Sequence, residues 1–452
     1  MKLFKDKYFY KSFFSMASVI ILQNLLIYSV NLADNIMIGN YSETAMNGVS
    51  LANQIQFLLQ MFAMGASNGL SVLASQYWGK KETDPIKKIF SSACIFGLGM
   101  SLLLAVFVIT MPGTALGLLT DKQDAIAEGS KYIIIMGFTY CIYTLTNMFL
   151  AMLRSVETVK IGFAVTAVSL TVNISLNYCL IFGKFGFPEL GVRGAAIATL
   201  AARIVELIIV AVYVFRFDKK IRFRFKDFFV IEKAYLRDYV KAGLPLIGSS
   251  TSWGIAMAVQ TAIIGRLDSA AVLGANNIAT TIHQVVSVFY GSTSNSASVI
   301  IGKTVGEHDY DRVKTYAKRL QIIFLITGLM SGAIMFLLCD SVVSMYDIAP
   351  DTAQLAKIFI YILSVTIIGS NYEAPALCGI VSGGGDTKFV LYNDLIFMWG
   401  IVLPLSALSA FVCNFPIPVT FFLLKSDQIL KCFVAVFKVN RFRWIKELTR
   451  SS

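Results

Sequence analysis

Long apolar runs alternate with short polar clusters along the whole chain. Uncharged stretches of 20 to 24 residues occur at 12–33, 132–153, 161–183, 242–265 and 320–339. Each has the length that crosses the hydrocarbon core of a bilayer as a helix. Two longer runs, 44–79 and 89–120, exceed one crossing and must include a turn or a helix that extends past the lipid. The pattern predicts an all-α integral membrane protein with about 12 transmembrane helices in two pseudo-symmetric six-helix bundles. The spans fall near 12–38, 50–76, 89–111, 130–153, 161–183, 194–215, 242–265, 277–300, 319–340, 356–381, 389–411 and 415–436. The last is the least regular, because Lys425, Asp427 and Lys431 interrupt it.

The pairing of the two bundles comes from an internal repeat. A shift of 226 residues, half the chain, lays Gly39 on Gly265, Ala45 on Ala271, Gly48 on Gly274 and Gly65 on Gly291. The expected organisation is an N-terminal bundle at 1–215, a cytoplasmic linker at 216–241, and a C-terminal bundle with a basic tail at 242–452.

Composition agrees with the membrane class: 56% hydrophobic residues, 15% charged, and a mean hydropathy of +0.69. The formal net charge of +12 has two readings, an anionic partner such as nucleic acid or a topological bias. With the N-terminus in the cytoplasm, 32 of the 39 Lys and Arg residues fall on the cytoplasmic side and six on the other, with Arg203 inside a span. That asymmetry fits the positive-inside rule with both termini cytoplasmic, in a multi-pass protein of the cell (plasma or inner) membrane, and argues against nucleic acid as a partner. The first span is too long for a signal-peptide core and is expected to remain in the mature chain. Seven scattered cysteines and two distant histidines make neither a disulfide framework nor a metal site. No Walker, GxGxxG or GxSxG motif is present, so neither ATP-driven transport by this chain alone nor an enzyme is expected.

Polar residues inside spans carry the functional signal. An ionised carboxylate there costs roughly 2.5–3.5 kcal/mol on insertion scales, so Asp34 should face a wet cavity or a partner. The fifth span runs outward, which places Asn173 and Asn177, i and i+4, on one face of its outer half. The sixth runs inward, which puts Thr199 near its outer end. A carboxylate, two amides and a hydroxyl then share one level of the membrane, and hard oxygen ligands of this kind suit a proton or Na⁺. Taken singly, each amide is more often a helix-packing group than a ligand.

The residues resemble the MATE (multidrug and toxic-compound extrusion) transporters, especially the bacterial DinF/NorM-like branches. The resemblance covers essentially the whole chain. It rests on NLADNIMIG, SLANQIQFLL, SVLASQYWGKK, LRSVETVKIGF, TVNISLNYCLIFG and GVRGAAIAT in the first half. GLPLIGSSTSW, IIGRLDSAAVLGANNIATTI, GGGDTKF, DLIFMW and RWIKELTR follow in the second. It implies two six-helix bundles around a central cavity, and export of organic cations and other amphipathic compounds in exchange for Na⁺ or H⁺. It also implies that Asp34, Asn173 and Thr199 belong to a first-half cation site, with Asn177 where some members carry a second acid.

Two departures accompany it. The glutamate that NorM-type members carry in the seventh span is matched here by Ser250, so a second-half polar site would be rebuilt from Gln260, Gln284 and Glu373. Glu373 could equally pair with an Arg or Lys. The proline many members have in the first span is replaced by Val19, so bending there is not assumed. Arg203 and Glu206, i and i+3, are expected to pair with each other, and Asp394 and Trp399 to anchor a helix end. The segment 216–241 looks amphipathic and is expected on the inner leaflet, as is the basic arm at 1–11.

The expected function is cation-coupled (H⁺ or Na⁺) antiport of amphipathic or cationic organic compounds by alternating access, by a monomer in the lipid bilayer, with no cofactor beyond the coupling ion and no metal beyond a possible Na⁺ at Asp34. The alternative is a flippase or exporter of a lipid-linked or other metabolite substrate, which should show a strongly cationic cavity. A single arginine inside the spans, Arg203, speaks against it.

Overall fold

The computed structural model describes residues 6–267, 270–346 and 348–450. The first five residues of the basic arm, and Asp268 and Ser269 of the second-half motif, lie outside the described residues. Among those described the chain is helical, with no strand. The helices are α1 (Lys7–Tyr41), α2 (Glu43–Gly79), α3 (Asp84–Thr110), the short α4 (Pro112–Gly117), α5 (Gln123–Ser155), α6 (Lys160–Phe182) and α7 (Val192–Phe217). They continue as α8 (Lys233–Gly265), α9 (Ala270–Gly306), α10 (Tyr310–Val343), α11 (Pro350–Val381), α12 (Thr387–Phe411), α13 (Ile417–Leu424) and α14 (Asp427–Asn440).

Nine of them among the described residues are long and apolar enough to cross a membrane: α1, α2, α3, α5, α6, α7, α10, α11 and α12. Helices α8 and α9 match them in length but are diluted by Ser249–Ser252 and by Asn276, Asn277 and Gln284. The irregular twelfth span is two helices, α13 and α14, broken at Lys425 and Ser426. Helix α1 runs unbroken past Val19, as a span without proline should. Local signals set other ends. Gly183 closes α6 at φ +62° and donates its N–H to Cys179, a left-handed cap. Asp309 opens α10 by accepting from the Arg312 amide at 3.0 Å.

The chain divides into two compact units. The N-terminal unit comprises Leu22–Ala74 and Glu82–Ile247, and the C-terminal unit Met1–Ile21, Ser75–Lys81 and Gly248–Ser452. The core of the N-terminal unit gathers Ile38, Val49, Leu59, Val108, Tyr132, Ile133, Met136, Ile181 and Ala196. At one end of it an aromatic cluster forms. Phe223 and Phe228 of the segment before α8 pack edge-on against Phe90 and Phe149, with centroids 5.1 to 6.3 Å apart. The interhelix segment expected on a membrane surface therefore also inserts its apolar face into protein, while Phe225 and Phe229 stay exposed.

In the C-terminal unit the core runs through Ala256, Val272, Ile278, Met335, Ile360, Leu363 and Val402, with Phe359 stacked on Phe421 at 3.9 Å. The end of α2 meets the end of α9 without side chains between them. A Cβ on Gly79 would lie 2.0 Å from the Lys303 carbonyl oxygen, and one on Gly306 1.9 Å from that of Gln76. Only glycine permits this approach.

The C-terminal tail closes over the same place. Trp444 is fully buried, donates Nε1–H to the Val439 carbonyl at 2.8 Å, and lies flush on Gly384, where a Cβ would fall 2.1 Å from the ring. Buried Gln76 donates to the carbonyls of Gly383 and Lys446 at 3.4 and 3.3 Å and accepts the Leu448 amide at 2.8 Å. Lys438 and Lys446 grip Asp386, in the turn between α11 and α12, at 2.7 and 2.8 Å. Burial raises the Asp386 pKa, but the hydrogen bonds from the two ammonium groups outweigh it and hold the carboxyl below its usual range. Lys80 pairs with Glu447 at 2.7 Å, and that hydrogen bond likewise lowers the Glu447 pKa.

Candidate functional site

In the N-terminal unit, α6 and α7 approach closely because Gly194 has no side chain: a Cβ there would fall 2.5 Å from the Leu180 carbonyl oxygen. This brings the outer faces named from sequence together. Asn173 donates Nδ2–H to Thr199 Oγ1 at 3.3 Å across the helix pair. One turn on, Asn177 donates to Asn173 Oδ1 at 3.2 Å and also to Asp34 Oδ1 of α1. Asp34, Asn177, Asn173 and Thr199 thus form one hydrogen-bonded row across three helices. Asn173 and Asn177 are buried, Thr199 nearly so, and Asp34 is partly buried.

Magnitudes show what the row does. A hydrogen bond to a charged group contributes about 1.5–3 kcal/mol, close to the roughly 2.5–3.5 kcal/mol cost of a carboxylate in a span. Asn177 therefore nearly offsets the burial of Asp34 but leaves its second oxygen for another ligand. Among the described residues, Asp34 has no ion-pair partner within 4.0 Å. Arg203 acts on it only at longer range, because its guanidinium pairs with Glu206 at 2.8 Å, as the i, i+3 spacing predicts, and lies over the Tyr143 ring at 5.1 Å. Two buried oxygens have no hydrogen-bond partner among the described residues: Asn177 Oδ1, on the residue that holds Asp34, and Tyr140 Oη, which acts on Tyr132. Tyr132, also buried, brings its hydroxyl to Thr199 and into the field of Asp34. A carboxylate oxygen, an amide oxygen and hydroxyls are a donor set for a small hard cation or a proton.

The second-half residues are distributed differently. Gln260 is buried and fully engaged: its Oε1 accepts from Lys425 Nζ at 2.8 Å and its Nε2 donates to the Leu424 carbonyl at 3.1 Å. Gln284 is exposed on α9. Glu373 on α11 sits in the field of Lys431, Asp394 and Asp427. Lys431, 3% exposed, is 2.9 Å from Asp394 and 3.6 Å from Asp427. Ser249, beside the Ser250 named from sequence, donates its hydroxyl to Asp394. Asp394 thus holds a charge network inside α12, at the start of a π-helical stretch over Leu395–Val402, instead of anchoring a helix end. Trp399 donates to Ser252 at 2.8 Å.

Sequence reasoning missed Tyr132, Lys425, Lys431 and Asp394 as members of these clusters. For the two lysines the signal was present, as charges inside the last span.

Carboxylates enclosed between helical spans mark a functional site in a membrane protein, and comparison with known proteins gives the class, that of membrane transporters. The MatE family model matches residues 20–179 and again 245–408. The chain belongs to the MATE transporter family, whose members are transporters and not enzymes. Among similar proteins are the uncharacterised transporter YisQ of Bacillus subtilis, 27% identical over 416 residues, with 89% of this chain and 88% of YisQ covered. The probable multidrug resistance protein NorM of Streptococcus pneumoniae is 24% identical over 388 residues, with 86% and 85% covered. In fold the chain is similar to the eukaryotic MATE transporter AtDTX14, with a TM-score of 0.87, 17% identity and 97% of each chain covered. A MATE structure in complex with MaL6 gives a TM-score of 0.86 at 17% identity, with 96% of each covered.

Proposed function

We propose that this transporter is a cation-coupled antiporter that exports amphipathic or cationic organic compounds by alternating access, with H⁺ or Na⁺ bound at Asp34. The observation that carries the reading is the row Asp34, Asn177, Asn173 and Thr199, which among the described residues presents a carboxylate without a counter-cation, held by an amide whose own oxygen has no hydrogen-bond partner. The multidrug-resistance name of the NorM relatives supports the substrate class. Coupling requires that the ion bind one conformation better than the other; a proton or Na⁺ on Asp34 changes its charge and its hydrogen bonds, and so supplies a differential term. The orientation that fits the distribution of basic residues has both termini in the cytoplasm.

The test is Asp34→Asn in cells lacking their own exporters. Loss of resistance to the level of cells without the transporter, with normal amounts of folded protein in the membrane, is the expected result. Full resistance in the mutant ends the coupling role. In vesicles, efflux driven by a Na⁺ gradient without a pH gradient identifies Na⁺ as the ion, and efflux only with a pH gradient identifies H⁺.

A further inference from the structure

The C-terminal unit encloses more carboxylates than the N-terminal site yet offers less room for an ion. Asp394 from α12 and Asp427 from α14 lie 2.9 and 3.6 Å from one ammonium, that of Lys431, on the helix that carries Asp427, and Glu373 from α11 acts on it through space. Around it, α8 contributes the Ser249 hydroxyl on Asp394, and α11 also contributes the Cys378 thiol. The second lysine, Lys425, is turned to Gln260 and acts on Asp427 only through space. The Lys431 side chain is 3% exposed, so its charge is matched by protein and not by water.

We propose that Lys431 is a tethered cation: its ammonium occupies the position a free monovalent ion would take among Asp394, Asp427 and Glu373, so this unit is loaded permanently and exchanges no ion while Lys431 is in place. The physical ground is equivalence of charge and reach. An ammonium presents a single positive charge to oxygens at 2.9 to 3.6 Å, as a monovalent cation does at somewhat shorter range, and its covalent attachment removes the cost of recruiting it from solution. The inference concerns ion binding, so it stands or falls independently of whether Asp34 couples export.

Full-length protein in detergent carrying Asp34→Asn removes the N-terminal site from the measurement. To this is added Lys431→Met, which keeps an unbranched stem one atom shorter and removes the ammonium. Thermal unfolding and ²²Na⁺ binding are followed as NaCl replaces choline chloride at constant ionic strength. The expected result is no Na⁺ response in Asp34→Asn and a saturable rise in Tm with stoichiometric ²²Na⁺ binding once Lys431→Met is added. Adding Asp394→Asn as a third change should abolish both. Recovery of the Lys431→Met protein only when Na⁺ is present throughout purification supports the proposal equally. It is overturned if the Lys431→Met protein folds and shows no dependence on the cation. It is also overturned if that protein is unrecoverable in either salt while Asp394→Asn/Lys431→Met is recovered without a Na⁺ response, because Lys431 is then only a structural counter-charge.

Discussion

The two units treat a buried carboxylate in opposite ways. In the N-terminal unit Asp34 is held by an amide, its nearest guanidinium is committed to Glu206, and the oxygen of that amide has no hydrogen-bond partner among the described residues. In the C-terminal unit the 226-residue shift replaces Asp34 with Gln260, whose oxygen takes a lysine, and the acids nearby surround another. The two halves of the sequence repeat thus hold their polar groups differently: among the described residues Asp34 has an amide and no cation within 4.0 Å, whereas Gln260 and Asp394 each have a lysine. An amide next to a carboxylate leaves a choice of partner, and an ammonium next to it removes the choice.

The strongest way to break this contrast is to take the built-in cation away. Lys431→Met should destabilise by about 3–5 kcal/mol in low-sodium buffer, the usual cost of stranding one member of a buried pair. Asp394→Asn/Lys431→Met should recover most of it, as read in a double-mutant cycle of thermal unfolding. In the N-terminal unit, Asn177→Ala removes the donor on Asp34 and should cost about 1.5–3 kcal/mol while the carboxylate is ionised, together with a fall in export. Acidification should reduce the stability loss of Asn177→Ala, because a neutral Asp34 no longer needs the donor. Thr199→Val, at the far end of the row, deletes one neutral hydrogen bond and should cost about 0.5–1.5 kcal/mol, with Asp34 still held by Asn177.

The smallest effect concerns the tail. Asp386 and Glu447 have folded pKa values below their ordinary 3.8 and 4.5, so their contribution is complete above those values and is lost as pH falls through the lower folded ones. After correction for intrinsic rates, hydrogen exchange of the amides of Lys446, Leu448 and Arg450 should quicken as pH falls below about 4.

What could be read from sequence follows from what periodicity encodes. Asn173 and Asn177 share a face because four residues make about one helical turn, and span direction alone sets Asp34 and Thr199 at their depth. The repeat and the apolar runs made the helices legible for the same reason. The C-terminal network was not legible. Lys425, Asp427 and Lys431 look like defects in a span when the partners that compensate them, Asp394 and Gln260, lie 37 and 165 positions away. Gln284 illustrates the converse: a polar residue in an apolar run can be exposed, and nothing in its spacing distinguishes it from buried Gln260. The inward face of the segment before α8 was hidden too, since Phe223 and Phe225 alternate between buried and exposed over two residues with no long-range signal.

Gln76 sets an order of events in the life of the chain. It emerges from the ribosome with the first helices, yet the carbonyl and amide that complete its hydrogen bonds belong to Lys446 and Leu448, 370 and 372 positions later. Until those residues are made, this buried amide lacks two of its partners, and the Gly79–Gly306 crossing lacks the strap of chain that runs beside it. A chain interrupted just before Lys446 would carry the helices described here and still present a buried amide with its hydrogen bonds incomplete.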